Sequence, residues 1–175
     1  PLNLVGDGLL PAYIDGKQKP KAGDAIPIIG TQDDGGGYGA TFDALNICNL
    51  TFKWNANAFA TLDLATQLPV ASFDSIFPCP GGGRRRLPQP GAVTSQFLDI
   101  QSFRQRPIWR AAYRNFKTYD AMVTTQSVEA APGVAGMRWY EVRRVNGTYS
   151  VFQQGTFAPA DGVHRWMGSV AQDRQ

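Results

Sequence analysis

The chain is predicted to fold as an all-β protein of antiparallel sheets with long loops, and three observations predict it. First, Met137 to Val145 and Thr148 to Gln154 are alternating runs joined at Asn146-Gly147, the strongest short-range hairpin signal a sequence carries. Second, from Ile108 onward such runs recur about once per dozen residues, as in sandwiches and propellers. Third, the 175 residues include 19 Gly and 12 Pro with only 18% charged residues. That balance favours a loop-rich sheet protein over a helical one.

Taken in order, Leu9 to Lys17 reads as extended chain ending in a turn, followed by a polar connector over Lys19 to Asp24. Ile26 to Gly30 reads as an edge strand, because Pro27 cannot donate to a ladder. Asp33 to Gly39 is a glycine-rich loop. Ala44 to Trp54 alternates, with Cys48, Leu50, Phe52 and Trp54 forming the more apolar face, expected to point to the core. Ala58 to Leu64 alternates in part, and Leu68 to Val70 is extended. Residues 76–97 form a long connection broken by prolines and glycines. Ile108 to Arg114 pairs with Tyr119 to Val128 across a turn at Asn115 to Thr118. Ala130 to Gly133 breaks the sheet before the 137–154 hairpin. Arg165 to Ala171 reads as a further strand approaching another turn. Residues 1–40 are expected to form an extended arm and edge elements. Residues 41–175 are expected to form one β-sheet domain continuous with that arm.

Composition removes several classes of function. Net charge is +3, and the one basic clump, Arg84 to Arg86, lacks the aromatic interleaving of a nucleic-acid surface and reads as a solvated loop. No apolar run reaches the roughly 18 residues of a membrane-spanning helix. The start at Pro1 reads as a mature product or as a piece of a longer polypeptide. No phosphate-cradling loop is present, since Gly81 to Gly83 runs into arginines.

A single histidine, His164, limits nucleophilic and metal chemistry. Its expected role is hydrogen bonding at a strand edge or turn. Glu141 is expected to pair with a neighbouring arginine across strands. Asp33 and Asp34 are the candidate ligands of a structural Ca²⁺, because hard cations take clustered oxygens. A plain solvated turn is the alternative there, and no cofactor is implied. Cys48 and Cys79 lack metal-ligand spacing. They are the candidate disulfide, which would restrain the 76–97 connection, or else two separate buried thiols. Asn49 and Asn146 begin sequons and are candidate glycosylation sites. Trp109, Tyr113, Trp139 and Trp166 are the candidate platform for a ligand or partner. Aromatic rings stack on sugars, although in sheet proteins they more often pack between layers.

Tyr113 to Phe116, Arg138 to Arg143, Gln153 to Pro159 and His164 to Ala171 resemble strings of large secreted bacterial proteins with a β-propeller-like repeat region. Gly8 to Ala12 with Asp15-Gly16, Leu68 to Phe73, and Pro88 to Gly91 fit the same group in the same order. The resemblance therefore spans nearly the whole chain. It departs at Thr51 to Trp54, where the group carries His-Val-Asp-Trp, and at Gln105 to Ile108, where it carries Asp-Arg-Leu-Met. No role of those missing His and Asp residues carries over. The resemblance implies part of a propeller-like domain and a secreted, periplasmic or cell-surface location, but no reaction. Sheets cut from such a domain have open edges. The expected partner is another protein chain or the rest of the same polypeptide. The expected function is a non-catalytic extracellular structural or interaction module. Carbohydrate binding or hydrolysis by a propeller domain is the alternative.

Overall fold

Asn146 and Gly147 both have positive φ, 50° and 85°. This is the left-handed pair that matches the twist of two flanking strands. The turn joins β7, Val134–Val145, to β8, Thr148–Phe157. Preceding them are β1 Leu10–Ile14, β2 Ile26–Gln32, β3 Ala44–Lys53, β4 Phe59–Pro69, β5 Ile108–Asn115 and β6 Asp120–Ala131. A 3₁₀ turn covers Leu2–Leu4. This computed structural model describes residues 2–5, 8–55, 57–76, 87–93, 96–99 and 105–173.

The strands form one sheet in the order β4-β3-β2-β1-β5-β6-β7-β8, curled into a half-barrel. Each four-stranded half is an antiparallel meander. The antiparallel expectation fails where the halves meet, because β1 and β5 run parallel. Each half starts at the centre of the sheet and works outward, so its first strands face each other in the same direction. Separate four-stranded blades are not seen among the described residues.

β1 divides its pairing along its length. Leu10 and Pro11 pair with β2, whereas Ala12 to Ile14 pair with β5. The edge reading of Ile26 to Gly30 is therefore corrected, since β2 lies between β1 and β3. Pro27 is tolerated because its β1-facing side lies past the point where β1 has turned away.

The core lines the concave face. Ile29, Leu45, Ile47, Leu68, Ala111, Tyr113, Met122, Tyr140, Val142 and Tyr149 form one buried cluster. Strands this far apart in the order meet only if the sheet curls around them. Tyr149 on β8 donates its hydroxyl to Asn49 Oδ1 on β3 at 3.2 Å, spanning the interior. The core face predicted for β3 is thus the wrong one. Leu45 and Ile47 face the core, while Trp54 is 85% exposed. The reason is topological: β2 begins opposite Leu50, so β3 beyond Leu50 has only β4 beside it.

After β8 the described chain, through Asp173, forms no strand, which corrects the reading of Arg165 to Ala171. It crosses the convex face instead, held one bond at a time. Arg165 N–H donates to Ala135 O (2.9 Å), and Met167 N–H to Ser127 Oγ (3.1 Å). Thr125 Oγ1 donates to Gly168 O (3.1 Å), and Gln172 Nε2 to Ala112 O (3.2 Å). The segment therefore passes over β7, β6 and β5 in turn. No helix among the described residues is long and apolar enough to cross a membrane.

Candidate functional site

The crossing segment roofs a cavity of about 460 Å³ on the convex face. Its walls include Met137 and Trp139 of β7, Phe157 of β8, Thr125 of β6, and His164, Arg165 and Trp166 of the segment. Alternation on β7 places residues 137 and 139 on one side of the sheet, away from the core. Trp139 pairs directly with Gly155 of β8. A Cβ at Gly155 would stand 2.9 Å from Trp139 Cζ2, so the missing side chain is what lets the indole lie across the neighbouring strand. Trp166 packs against the buried cluster of Leu87 and Ala135, which holds the second indole in place.

The polar groups at this cavity are specific. Ala135 N–H donates to His164 Nδ1 at 3.2 Å, so the neutral ring carries its proton on Nε2. His164 lies in no turn; its hydrogen bond is accepted from the backbone of β7. Arg165 makes two bonds to Asp161, at 2.9 and 2.7 Å. Arg165 holds the Asp161 carboxyl well below the usual carboxylate range. Both charges are thereby matched at the rim of the cavity.

Of the four platform candidates, the structure brings together Trp139 and Trp166 only. Trp109 is 61% exposed on β5 and meets Tyr13 edge-to-face at 5.6 Å. Tyr113 belongs to the core, where burial pushes its phenol up and keeps it neutral. The sequence reading missed Phe157 and Met137. Their alternation with Trp139 and Gly155 across a hairpin of known register was the available signal.

A second cluster lies at the end of β2. Asp33, Asp34 and Asp43 bring carboxylate oxygens within 4.8 Å of one another. Asp43 was not foreseen, because it enters from the start of β3. These are hard oxygens of the type Ca²⁺ takes, but hydrogen bonds already use those of Asp33 and Asp43. Asp33 accepts Gly35 N–H (2.7 Å) and Ser75 N–H (2.8 Å), as well as the Ser75 hydroxyl. Asp43 accepts Asp34 N–H (3.0 Å) and Phe73 N–H (2.8 Å). The cluster thus ties the 33–36 loop to residues 73–75. Partial burial, then the charges of Asp33, Glu129, Asp34 and Asp43, push the nearby Asp74 carboxyl up.

The remaining candidates are placed as follows. Cys48 is a free, fully buried thiol on β3, and burial pushes its pKa up. Its expected disulfide partner Cys79 lies outside the described residues, as do Arg84 to Arg86. Asn146 sits in the exposed β7–β8 turn, while Asn49 accepts the Tyr149 hydroxyl inside the curl. Glu141 does pair with an arginine, but with Arg143 of its own strand at 2.6 Å. Its cross-strand partner is Gln153, also at 2.6 Å. No protein-family model, no curated protein and no solved structure matches the chain.

Proposed function

We propose that this chain is a non-catalytic interaction module whose partner, another polypeptide or further parts of the same one, engages the free end of β4. The observation that carries this is an apolar edge left uncovered. β4 ends the strand order. At its far end, Leu68 to Ala71 approaches β8 and β7: Gln154 Oε1 of β8 accepts Ala71 N–H at 3.0 Å, and the Arg138 guanidinium of β7 donates to Ala71 O and Ser72 O. At its near end nothing among the described residues closes the edge. Phe59, Leu62 and Leu64 are exposed there, as are Trp54 and Phe52, which stack at 5.8 Å.

An unpaired strand carrying apolar side chains is a template for another strand, and an apolar patch of this kind marks interaction surfaces. Nothing about the described polar groups favours catalysis. His164 Nδ1 is held by a backbone N–H, and the carboxylates of Asp33, Asp43 and Asp161 are committed to hydrogen bonds. A setting outside the cytoplasm, within a longer propeller-like polypeptide, is proposed on the resemblance alone.

Native mass spectrometry tests the module reading. The expected result is a native mass above 19.1 kDa that falls to this chain plus its partners on denaturation. Placing lysine at Leu62 and Leu64 should abolish the larger species, because charges on an edge strand block pairing. A single-chain mass, unchanged by those lysines, would overturn the proposal.

A further inference from the structure

The convex-face cavity carries an inference independent of the β4 edge. We propose that it binds a neutral sugar ring, with Trp139 and Trp166 as the stacking surfaces. Its size of about 460 Å³ lies within the roughly 300–1,000 Å³ of small-ligand sites. Its chemistry narrows the ligand further.

Three ring N–H groups belong to residues that line the cavity. Among the described residues, the indole N–H of Trp139 and that of Trp166 have no acceptor. With His164 Nδ1 accepting the Ala135 N–H, the Nε2–H of His164 has none either. None of the three nitrogens is among the fully buried atoms without a partner, so each is open to solvent and to the acceptor oxygens of a ligand. A ligand for this site therefore brings acceptor oxygens. It also brings an apolar face, because Trp139, Trp166, Phe157 and Met137 supply most of the wall. And it is uncharged, because Arg165, the one arginine or lysine among the described lining residues, is already matched by both oxygens of Asp161.

A pyranose has these three properties together: a C–H face that stacks on an indole, hydroxyl oxygens that accept, and no charge. A purely apolar ligand would leave the N–H groups unmet. An anion would have to compete with Asp161 for Arg165. Hydrolysis is not part of the inference. Glycosidases use two carboxyl groups flanking the bond, whereas the described lining residues include none.

The test is titration of the whole chain with cellohexaose, maltohexaose, xylohexaose and chitohexaose, followed by calorimetry and tryptophan fluorescence. At least one should bind with Kd between about 10 μM and 1 mM. Trp166→Ala should weaken that binding at least about tenfold, while Trp166→Phe, which keeps a ring and loses the N–H, should fall between. Ser169→Trp, which fills the cavity from its rim without removing either indole, should also abolish binding, so a folding defect in one variant does not decide the matter. Trp54→Ala, on the β4 side, should change nothing. The proposal is overturned if none of the four sugars binds up to about 5 mM, or if binding persists in both Trp166→Ala and Ser169→Trp. It is equally overturned if the cavity takes the uncharged apolar dye N-phenyl-1-naphthylamine and no sugar displaces it. The β4 proposal is read from native mass and fails or stands separately.

Discussion

Trp139 and Gly155 face each other across β7 and β8, and the indole occupies the space a side chain at 155 would fill. A Cβ there would lie 2.9 Å from Cζ2 and 3.0 Å from Cε2 and Nε1. The ring is rigid, so it cannot absorb the overlap by bending a flexible end. Gly155→Val should displace the indole and cost about 1–3 kcal/mol, the usual penalty for overpacking. Urea melts and the near-ultraviolet dichroism of the tryptophan would measure it. An unchanged tryptophan signal would show that Trp139 does not depend on the glycine.

Asp43 is the strut between two loops. Asp43→Ala removes the acceptors of Asp34 N–H and Phe73 N–H at a site only 5% exposed. Each orphaned buried donor costs about 1–3 kcal/mol. Asp43→Asn keeps one acceptor oxygen and should cost less. Thermal melts of the two variants should rank in that order. If they are equal, the two hydrogen bonds are not what Asp43 contributes.

The strand pattern was legible because period-two alternation and turn chemistry are local. The Asn146-Gly147 hairpin and the Asn115 to Thr118 turn lie where the residues said they would. Three things were not legible. The parallel β1–β5 junction depends on where two meanders meet, and no local pattern encodes that. The core face of β3 was misjudged because Phe52 and Trp54 are apolar yet lie beyond the point where β2 begins. The segment from His164 to Ala171 alternates like a strand but is bonded singly to a face rather than to a ladder. Of the cavity, the two tryptophans were named in advance, but their company was not. Trp109 and Tyr113 are equally aromatic and, four apart, would share a face of a regular strand; the irregular β5–β6 pairing between Ile108 and Ala112 lies between them, and one ends in solvent and the other in the core.

Cys48 should be chemically silent in the folded protein. The thiolate is the reactive form, and burial both raises the pKa of this thiol and excludes reagents. Iodoacetamide at neutral pH should leave Cys48 unmodified in the native state and label it fully in urea without reductant. Peptide mapping by mass spectrometry distinguishes the outcomes. Rapid native labelling would mean that β3 opens readily, and no labelling in urea would mean that Cys48 is oxidised.

Asp74 sets a pH dependence whose sign follows from its surroundings. Partial burial and the negative charges of Asp33, Glu129, Asp34 and Asp43 raise its pKa in the folded state. A raised carboxyl pKa means that the folded chain holds this proton more tightly than the unfolded chain does. The resulting stabilisation is fully present below the ordinary carboxylate pKa and is lost as pH rises through the folded value. At neutral pH the ionised Asp74 therefore opposes folding. Asp74→Asn removes the charge and should raise the melting temperature at about pH 7, with no gain at about pH 3, where carboxyl groups are largely protonated. Added salt should shrink the gain at neutral pH, since exposed charges are screened over about 10 Å at 0.1 M. A loss of stability at neutral pH would instead assign Asp74 a favourable partner. An equal gain at both pH values would trace the effect to packing rather than charge.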